Sequence, residues 1–444
     1  MGRPSKTQSL AVWMNGTLVG SWNRSPNKEP SFVYAEDWFD APGFRSLSLS
    51  MPAIRSNRTI KGAVVNSYFD NLLPDSDVIR KRLQAKFRTK DVDAFALLSA
   101  VGQDCVGAIQ LLVPGMAPEG IESIDAVPLD ELGVERLIQH ALATPSALVA
   151  EDEDDLRLSI AGAQEKTALL WHEGHWCKPL RATPTTHIVK LPLGLVGNRR
   201  ADMTTSVENE WLCSRILRAF GIPAAETSIA TFGRTKTLVV TRFDRKMAKA
   251  GTHFLRLPQE DLCQATGTPS SLKYEAEGGP GMAGIATLLG QSLERKQDIR
   301  TFLKTQILFW MLRATDGHAK NFSIFLLAGD RYRLTPMYDV LSAWPIIGHG
   351  PNLIPPQKVK MAMAWLGKNR HYLADSTLRR HFDATACKCG YGASADDMVE
   401  ELIAQTPRVL DQVAAELPPG FPQQLADNIF SGLRDSATRL KSPA

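Results

Sequence analysis

The chain has no C-x-x-C pair, no internal repeat and no low-complexity tract. Its six cysteines, Cys105, Cys177, Cys213, Cys263, Cys387 and Cys389, are scattered. Without paired ligand spacing they argue against a zinc ribbon or finger. Cys387 and Cys389 flank a single lysine and read as two free thiols near a turn. So few cysteines in 444 residues point to a reducing compartment. The N-terminal segment MGRPSKTQSLAVWMNG lacks an apolar core of signal-peptide length. No stretch approaches the roughly eighteen uninterrupted apolar residues of a membrane span. The expected location is therefore the cytoplasm, with no membrane partner. Charge of one sign is scarce too: the formal net is +4, without the dense basic stripe of a dedicated nucleic-acid binder.

What is present is ordinary globular material, 44% hydrophobic and 22% charged, in a length that suggests two or three domains. The first stretch is strand-rich. In LAVWMNGTLVGSW two apolar, β-branched runs flank Asn15-Gly16, a pair that accepts positive φ at both turn positions and so signals a hairpin. SLSLSMP alternates with period two. SDVIRKRLQAKF reads as a helix capped by Ser76, DAFALLSAVGQDCVGAIQLLV as helix, turn and strand, and PLDELGVERLIQHALAT as a further helix. The acidic run EDEDD, residues 151–155, reads as a solvated linker. It divides an N-terminal β-rich unit, 1–150, from a second unit, 151–245, and a third, 246–444. The second unit reads as strands LRLSI, TALLWH and THIVKLP, a helix over about 205–220, then strands ETSIATFG and KTLVVTRFD. Thr205 or Ser206 caps that helix, its apolar stripe is Val207, Trp211, Leu212, Ile216 and Phe220, and Gly221 and Pro223 stop it. Helices dominate the third unit, interrupted by one hairpin, FSIFLLAGDRYRLTP.

Chemistry concentrates in RATDGHAKNFSI, residues 313–324, where Asp316, His318, Lys320 and Asn321 follow directly on the apolar TFLKTQILFWML. Phosphoryl transfer needs a carboxylate near the acceptor hydroxyl and oxygen ligands for Mg²⁺ at the phosphates, and kinase catalytic loops supply an Asp and an Asn five positions apart. Asp316 and Asn321 have that spacing. Alone it is also the spacing of an ordinary polar turn. The hairpin after it, however, returns the chain to its start, which sets Asn321 beside Asp339 of PMYDV.

The second unit would then hold the nucleotide. LSIAGAQEKTALL reads as strand, loop and strand, with the N–H groups of Gly162 and Ala163 free to face phosphates. Lys190 lies on the next strand, on one face with Ile188, and Glu208 and Glu210 of VENEW are candidates to pair with it, Glu210 favoured. Residues 239–244, VVTRFD, would form a hinge whose backbone bonds adenine.

LSIAGAQEKTALL, PTTHIVKLP, VENEW, RLPQEDLCQATGTPSSLKYE, GGPG, ATDGHAKNFSIF and YRLTPMYDV together resemble the HipA family, the serine/threonine kinase toxins of type II toxin–antitoxin modules. The resemblance runs through nearly the whole chain and is densest over 156–345. It implies an α+β, protein-kinase-like two-lobe fold with an additional N-terminal β-rich subdomain and a helical C-terminal lobe. ATP and Mg²⁺ are the implied cofactors. Asp316 carries over as the catalytic base, and Asn321 and Asp339 as metal ligands. The implied nucleotide contacts are the loop Ala161, Gly162, Ala163, Gln164, Glu165 and Lys166, then Lys190, the hinge Thr241, Arg242 and Phe243, and His318, Lys320, Asn321, Tyr338 and Asp339. Ser159 matches a serine at which such kinases autophosphorylate.

The implied partners are a protein substrate, which is an aminoacyl-tRNA synthetase for some members, and a small helix-turn-helix antitoxin that brings the complex to operator DNA. Arg379, Arg380 and Lys388 are candidates to touch that DNA, though they also read as solvated helix charges, and GRPSK resembles a minor-groove hook. Thr315 stands where eukaryotic-type protein kinases carry an arginine, and the D-x-H-x-x-N form is shared with aminoglycoside and phosphoinositide kinases. A small-molecule kinase and a non-catalytic corepressor are the alternative readings.

Overall fold

The computed structural model describes residues 7–26, 28–142, 160–162 and 164–441. Ser159, Ala163, the EDEDD run, most of LRLSI and the GRPSK segment lie outside the described residues.

The N-terminal part is a five-stranded antiparallel sheet in the order Thr59–Lys61, Lys28–Tyr34, Thr17–Ser25, Gln8–Met14, Ile109–Leu112. Asn15 and Gly16 turn its first hairpin at φ 44° and 82°, the left-handed pair the sequence predicts. Its core is aromatic, with Trp22 stacked on Phe69 at 4.0 Å. Helix Asp77–Phe87 begins at Ser76, whose hydroxyl accepts the Ile79 N–H. SLSLSMP forms no strand. Two of its three serines bind the far lobe: the Ser48 and Ser50 hydroxyls both donate to Gln264 O, at 3.3 and 2.7 Å.

A second antiparallel sheet runs Thr227–Phe232, Thr235–Thr241, His187–Lys190, Lys166–His172, His175–Pro179, Ala126–Leu129. Strand Ala126–Leu129 and helix Glu131–Leu142 fall in the stretch that the acidic run would assign to the first unit. They instead join this second sheet, through strand pairing and through burial of Val134 and Ile138 against Leu169, Val189 and Val239. Helix Ser206–Ala219 packs on the same sheet and buries all five residues of its predicted stripe. The Ser206 hydroxyl accepts the Leu193 N–H at 2.9 Å. That bond ties the helix start to the loop leaving the Lys190 strand.

The large lobe is built on helix Arg295–Leu312, apolar on every side over its last six residues, 307–312, and buried there. It ends at Arg313, φ 52°, whose guanidinium lies 4.7 Å from the Trp310 ring and 4.9 Å from the Trp344 ring. The predicted hairpin follows as Ser323–Leu327 and Arg331–Leu334, with Gln259–Asp261 as a third strand. Further strands, among them Lys360–Leu366, interrupt the helices. KMAMAWL is buried along nearly its whole length; without alternation it carries no period-two signal.

A buried ion cluster joins all three parts. Asp104, from the N-terminal part, accepts from Arg245 at 2.9 Å, Arg256 at 3.2 Å and the Thr185 hydroxyl at 2.7 Å. Arg242 adds Asp244 at 2.9 Å. Removing one partner of such a cluster strands buried charge. Asp104→Ala is therefore expected to lower the unfolding free energy by about 3–5 kcal/mol, read as a fall in the urea midpoint. A shift below about 0.5 kcal/mol would mean the arginines find other acceptors.

Candidate active site

Between the two lobes lies a cleft of about 210 Å³. One end is polar. Lys190 Nζ donates to Glu210 Oε1 and Asp339 Oδ1, both at 2.7 Å. Glu208 points elsewhere and takes Lys236 at 2.6 Å. Asn209, between them, bonds both the N–H and the C=O of Ser342 at 2.8 Å. The small-lobe helix is thus fastened to the segment just past Asp339.

Asp316 follows the C-terminal cap of the long helix and is mostly exposed, with its carboxylate accepting from the Tyr274 hydroxyl. Its main-chain oxygen accepts from Asn321 Nδ2 at 2.7 Å. That bond commits the amide nitrogen of Asn321 and leaves its Oδ1 as the side-chain atom that can ligate a cation. Gly317 has no room for a side chain: a Cβ there would sit 2.5 Å from the Phe309 ring. The Tyr338 hydroxyl donates to Lys320 O at 2.8 Å and meets Ser323 Oγ at 2.5 Å, bracing the loop from behind.

The charges are interdependent. Burial alone would raise Asp339, but Lys190 and Lys166 outweigh it and hold the carboxyl well below its usual range. Lys190 is pushed up because Asp339 and Glu210 overcome its desolvation. His318 is buried, which lowers its pKa and keeps the ring neutral; its Nε2 is 3.8 Å from Asp316 and its Nδ1 has no partner. Asp339 sits at φ 60°, a left-handed conformation that Asn and Asp tolerate better than most residues.

The predicted loop residues divide. Ala161, Gly162, Gln164 and Lys166 line the cleft. Gly162, at φ 106°, lets Lys166 approach closely, since a Cβ would fall 2.6 Å from its Nζ. Lys166 Nζ donates to Ala161 O at 2.8 Å, and Gln164 Nε2 to Leu191 O at 2.5 Å. Glu165 departs from the expectation: its carboxylate turns away to Arg82, at 3.1 Å, because alternate residues at the start of a strand face opposite ways.

At the hinge Thr241, Arg242 and Phe243 line the cleft, but the Thr241 and Arg242 amides already donate to Glu226 O and Thr186 O, both at 2.9 Å. The Arg242 guanidinium belongs to the buried ion cluster. The apolar end is walled by Ile188, Val240, Phe243 and Tyr338, the last two rings 5.8 Å apart.

Sequence patterning missed Asp75, Lys273 and Tyr274, which also line or close this space. Arg379 is paired with Asp396 and Glu400. Lys388 donates to Gly367 O at 2.9 Å, and Arg380 is exposed. Among the described residues no group of three or more His, Cys, Asp or Glu side chains could hold a metal, and no helix is long and apolar enough to cross a membrane. The Asn321 amide oxygen and the ionised Asp339 carboxylate are hard oxygen donors, the chemistry Mg²⁺ takes when phosphates complete its shell.

Burial lowers the Lys166 pKa to about 8, with Lys190 adding to the fall. A bound polyphosphate favours the charged form, so the Lys166 contribution to the affinity of such a ligand should be constant below pH 8. It should then weaken up to about tenfold per pH unit above it, until the raised pKa of the complex is reached. Lys166→Met should remove that step in calorimetric titrations of ATP against pH. An unchanged profile would place Lys166 outside the phosphate contacts.

Two lobes, a hinge, a strand lysine paired to a helix glutamate and a catalytic-type loop make this a protein-kinase-like fold. The comparisons are more specific. The HipA N-terminal domain matches residues 10–112 and the HipA-like C-terminal domain matches 158–410. A Sinorhizobium fredii protein provisionally named a kinase, Y4mE, is 33% identical over 363 residues, 80% of each chain. The serine/threonine-protein kinase toxin HipA of Shewanella oneidensis is 29% identical over 352 residues, 76% of each chain. A solved structure of Shewanella oneidensis HipA with HipB and operator DNA superposes with a TM-score of 0.77 at 22% identity, covering 97% of both chains. This chain belongs to the HipA family.

Proposed function

We propose that the chain is an ATP-dependent serine/threonine protein kinase that arrests growth as a toxin and is neutralised by a small helix-turn-helix antitoxin. The observation that carries this reading is the convergence of Asp316, Asn321, Asp339 and the Lys190–Glu210 pair on one cleft. Adenine would lie between Phe243, Tyr338 and Val240. The phosphates would meet Lys190, Lys166 and the Gly162 loop. Mg²⁺ held by Asn321 and Asp339 would neutralise charge on the phosphates. Asp316 would take the proton of the acceptor hydroxyl, and the exposed side of its carboxylate suits an acceptor presented by another protein.

The Shewanella relative was solved with HipB and operator DNA, which supports an antitoxin and an operator as partners here too. With Arg379 held by acidic neighbours, Arg380 is the exposed candidate for direct operator contact beside the antitoxin. Ser159 is the proposed autophosphorylation site. Its phosphate would add about −1.5 to −2 of charge beside the phosphate loop and so oppose ATP.

The test is γ-labelled ATP added to cell lysate with the purified chain, followed by mass spectrometry. Label on serine or threonine of a lysate protein, and on Ser159 of the chain itself, is expected. Label found only on a small molecule would favour a metabolic kinase. No transfer, with operator binding intact, would favour a corepressor.

A further inference from the structure

Residues 70–75, Asp-Asn-Leu-Leu-Pro-Asp, leave the end of helix Ala63–Asp70 in the N-terminal subdomain and enter the cleft, which Asn71, Leu72 and Asp75 line. Asp75 touches three separate parts of the site. Its Oδ1 accepts from Lys320 Nζ at 2.7 Å, in the loop that carries Asp316 and Asn321. Its Oδ2 accepts from Lys273 Nζ at 2.8 Å, and Lys273 precedes Tyr274, the residue that donates to Asp316. Its main-chain N–H donates to Gly162 O at 3.1 Å, in the phosphate loop.

The contacts are withdrawn from water. The Lys320, Asp75 and Lys273 side chains are 4%, 12% and 16% exposed. A surface pair would contribute little; this one is desolvated, and each carboxylate oxygen holds a lysine from a different segment. Burial alone would raise the Asp75 pKa, yet Lys320 and Lys273 outweigh it and hold the group at about 2, ionised across the working range. Lys320 is also gripped through its carbonyl by Tyr338, the neighbour of Asp339. A shift of Lys320 therefore moves the mount of both proposed metal ligands.

We propose that Asp75 is a positioning residue for phosphotransfer: the N-terminal subdomain supplies a carboxylate that fixes Lys320 and Lys273 in the cleft and ties the catalytic loop to the phosphate loop. The inference rests on the kinase reading of that cleft. It gives the N-terminal subdomain a part in positioning the groups of the cleft, beyond any role in holding partners. A misplacement on the scale of 1 Å is enough to cost about 100-fold in rate.

Asp75→Asn keeps the shape, removes the charge and turns an amide N–H₂ toward one of the lysines. Expected is a fall in kcat of about 10- to 100-fold, with KM for ATP changed less than about threefold because the ATP-facing groups remain. In combination with Lys320→Met, the double variant should lose clearly less than the product of the two single losses, since Asp75 acts in part through that ammonium. Losses that multiply, or a wild-type kcat in Asp75→Asn, would overturn the proposal. Hydrogen–deuterium exchange of the peptide covering residues 314–325, without nucleotide, gives a readout independent of turnover. Faster exchange in Asp75→Asn supports the tether and unchanged exchange refutes it. If the parent protein transfers no phosphate while exchange still quickens, the kinase reading fails and the tether stands.

Discussion

Asp316→Asn is expected to cut phosphotransfer by about 10²–10⁴-fold, the usual contribution of a positioned base, and to abolish growth arrest, while ATP affinity stays within about twofold. The separation follows from the bonds Asp316 makes. Its carboxylate is mostly exposed and pairs with the Tyr274 hydroxyl, so its removal strands no buried charge. The loop is held instead by its main-chain oxygen, which accepts from Asn321 at 2.7 Å and from the His318 N–H at 2.8 Å. None of these bonds needs the side chain. His318 is a poor substitute base: although neutral, it is buried, and its Nε2 stands 3.8 Å from Asp316. Calorimetry with ATP and Mg²⁺, phosphotransfer to a lysate substrate and colony growth after induction measure the three quantities. A variant that still transfers phosphate at the parental rate removes Asp316 from the chemistry.

The parts of this site that could be read from sequence are those whose geometry is local. Asp316 and Asn321 share one tight loop, and the strands Ser323–Leu327 and Arg331–Leu334 pair in register, so the chain must come back beside Asn321 before it reaches Asp339. The choice between Glu208 and Glu210 is of another kind. Two residues apart on a helix they differ by about 200° in direction, and only the position of the neighbouring strands decides which meets Lys190. Glu210 does, and Glu208 meets Lys236 on strand Thr235–Thr241. Asp75 and Lys273 are 198 residues apart; their meeting depends on how two subdomains dock, which no local pattern encodes.

Local pattern also misled where its cause was tertiary. Of the three serines of SLSLSMP, Ser48 and Ser50 bond Gln264 across a domain boundary and the Ser46 hydroxyl accepts the Ala53 N–H, so the alternation serves loop and interface bonds. The EDEDD run reads as a linker, but strand Ala126–Leu129 before it pairs with His175–Pro179 after it, so a chain boundary drawn at the charge run cuts through one sheet. Edge strands of four residues with a proline, as here, carry little sequence signal of their own.

Asp339→Asn should change ATP binding in opposite directions with and without Mg²⁺. Asparagine accepts the left-handed backbone at φ 60°, so the turn survives. Lys190 keeps Glu210 at 2.7 Å, so no ammonium is stranded. What disappears is one ionised carboxylate facing the phosphate end of the cleft. Without Mg²⁺ that carboxylate repels the polyanion and competes for Lys190, so its loss should tighten ATP binding, by up to about tenfold, the effect of roughly 1.4 kcal/mol. With Mg²⁺ present the same carboxylate is a main oxygen donor beside Asn321. Its loss should weaken binding by about tenfold or more and lower phosphotransfer by about 10²–10³-fold. A generally damaged site would bind worse under both conditions, so the reversal of sign is the diagnostic. Paired calorimetric titrations, one in Mg²⁺ and one in chelator, read it directly. Equal losses in both, or a Mg²⁺ enhancement as large as the parent's, would take Asp339 out of the metal site and leave it only as the partner of Lys190.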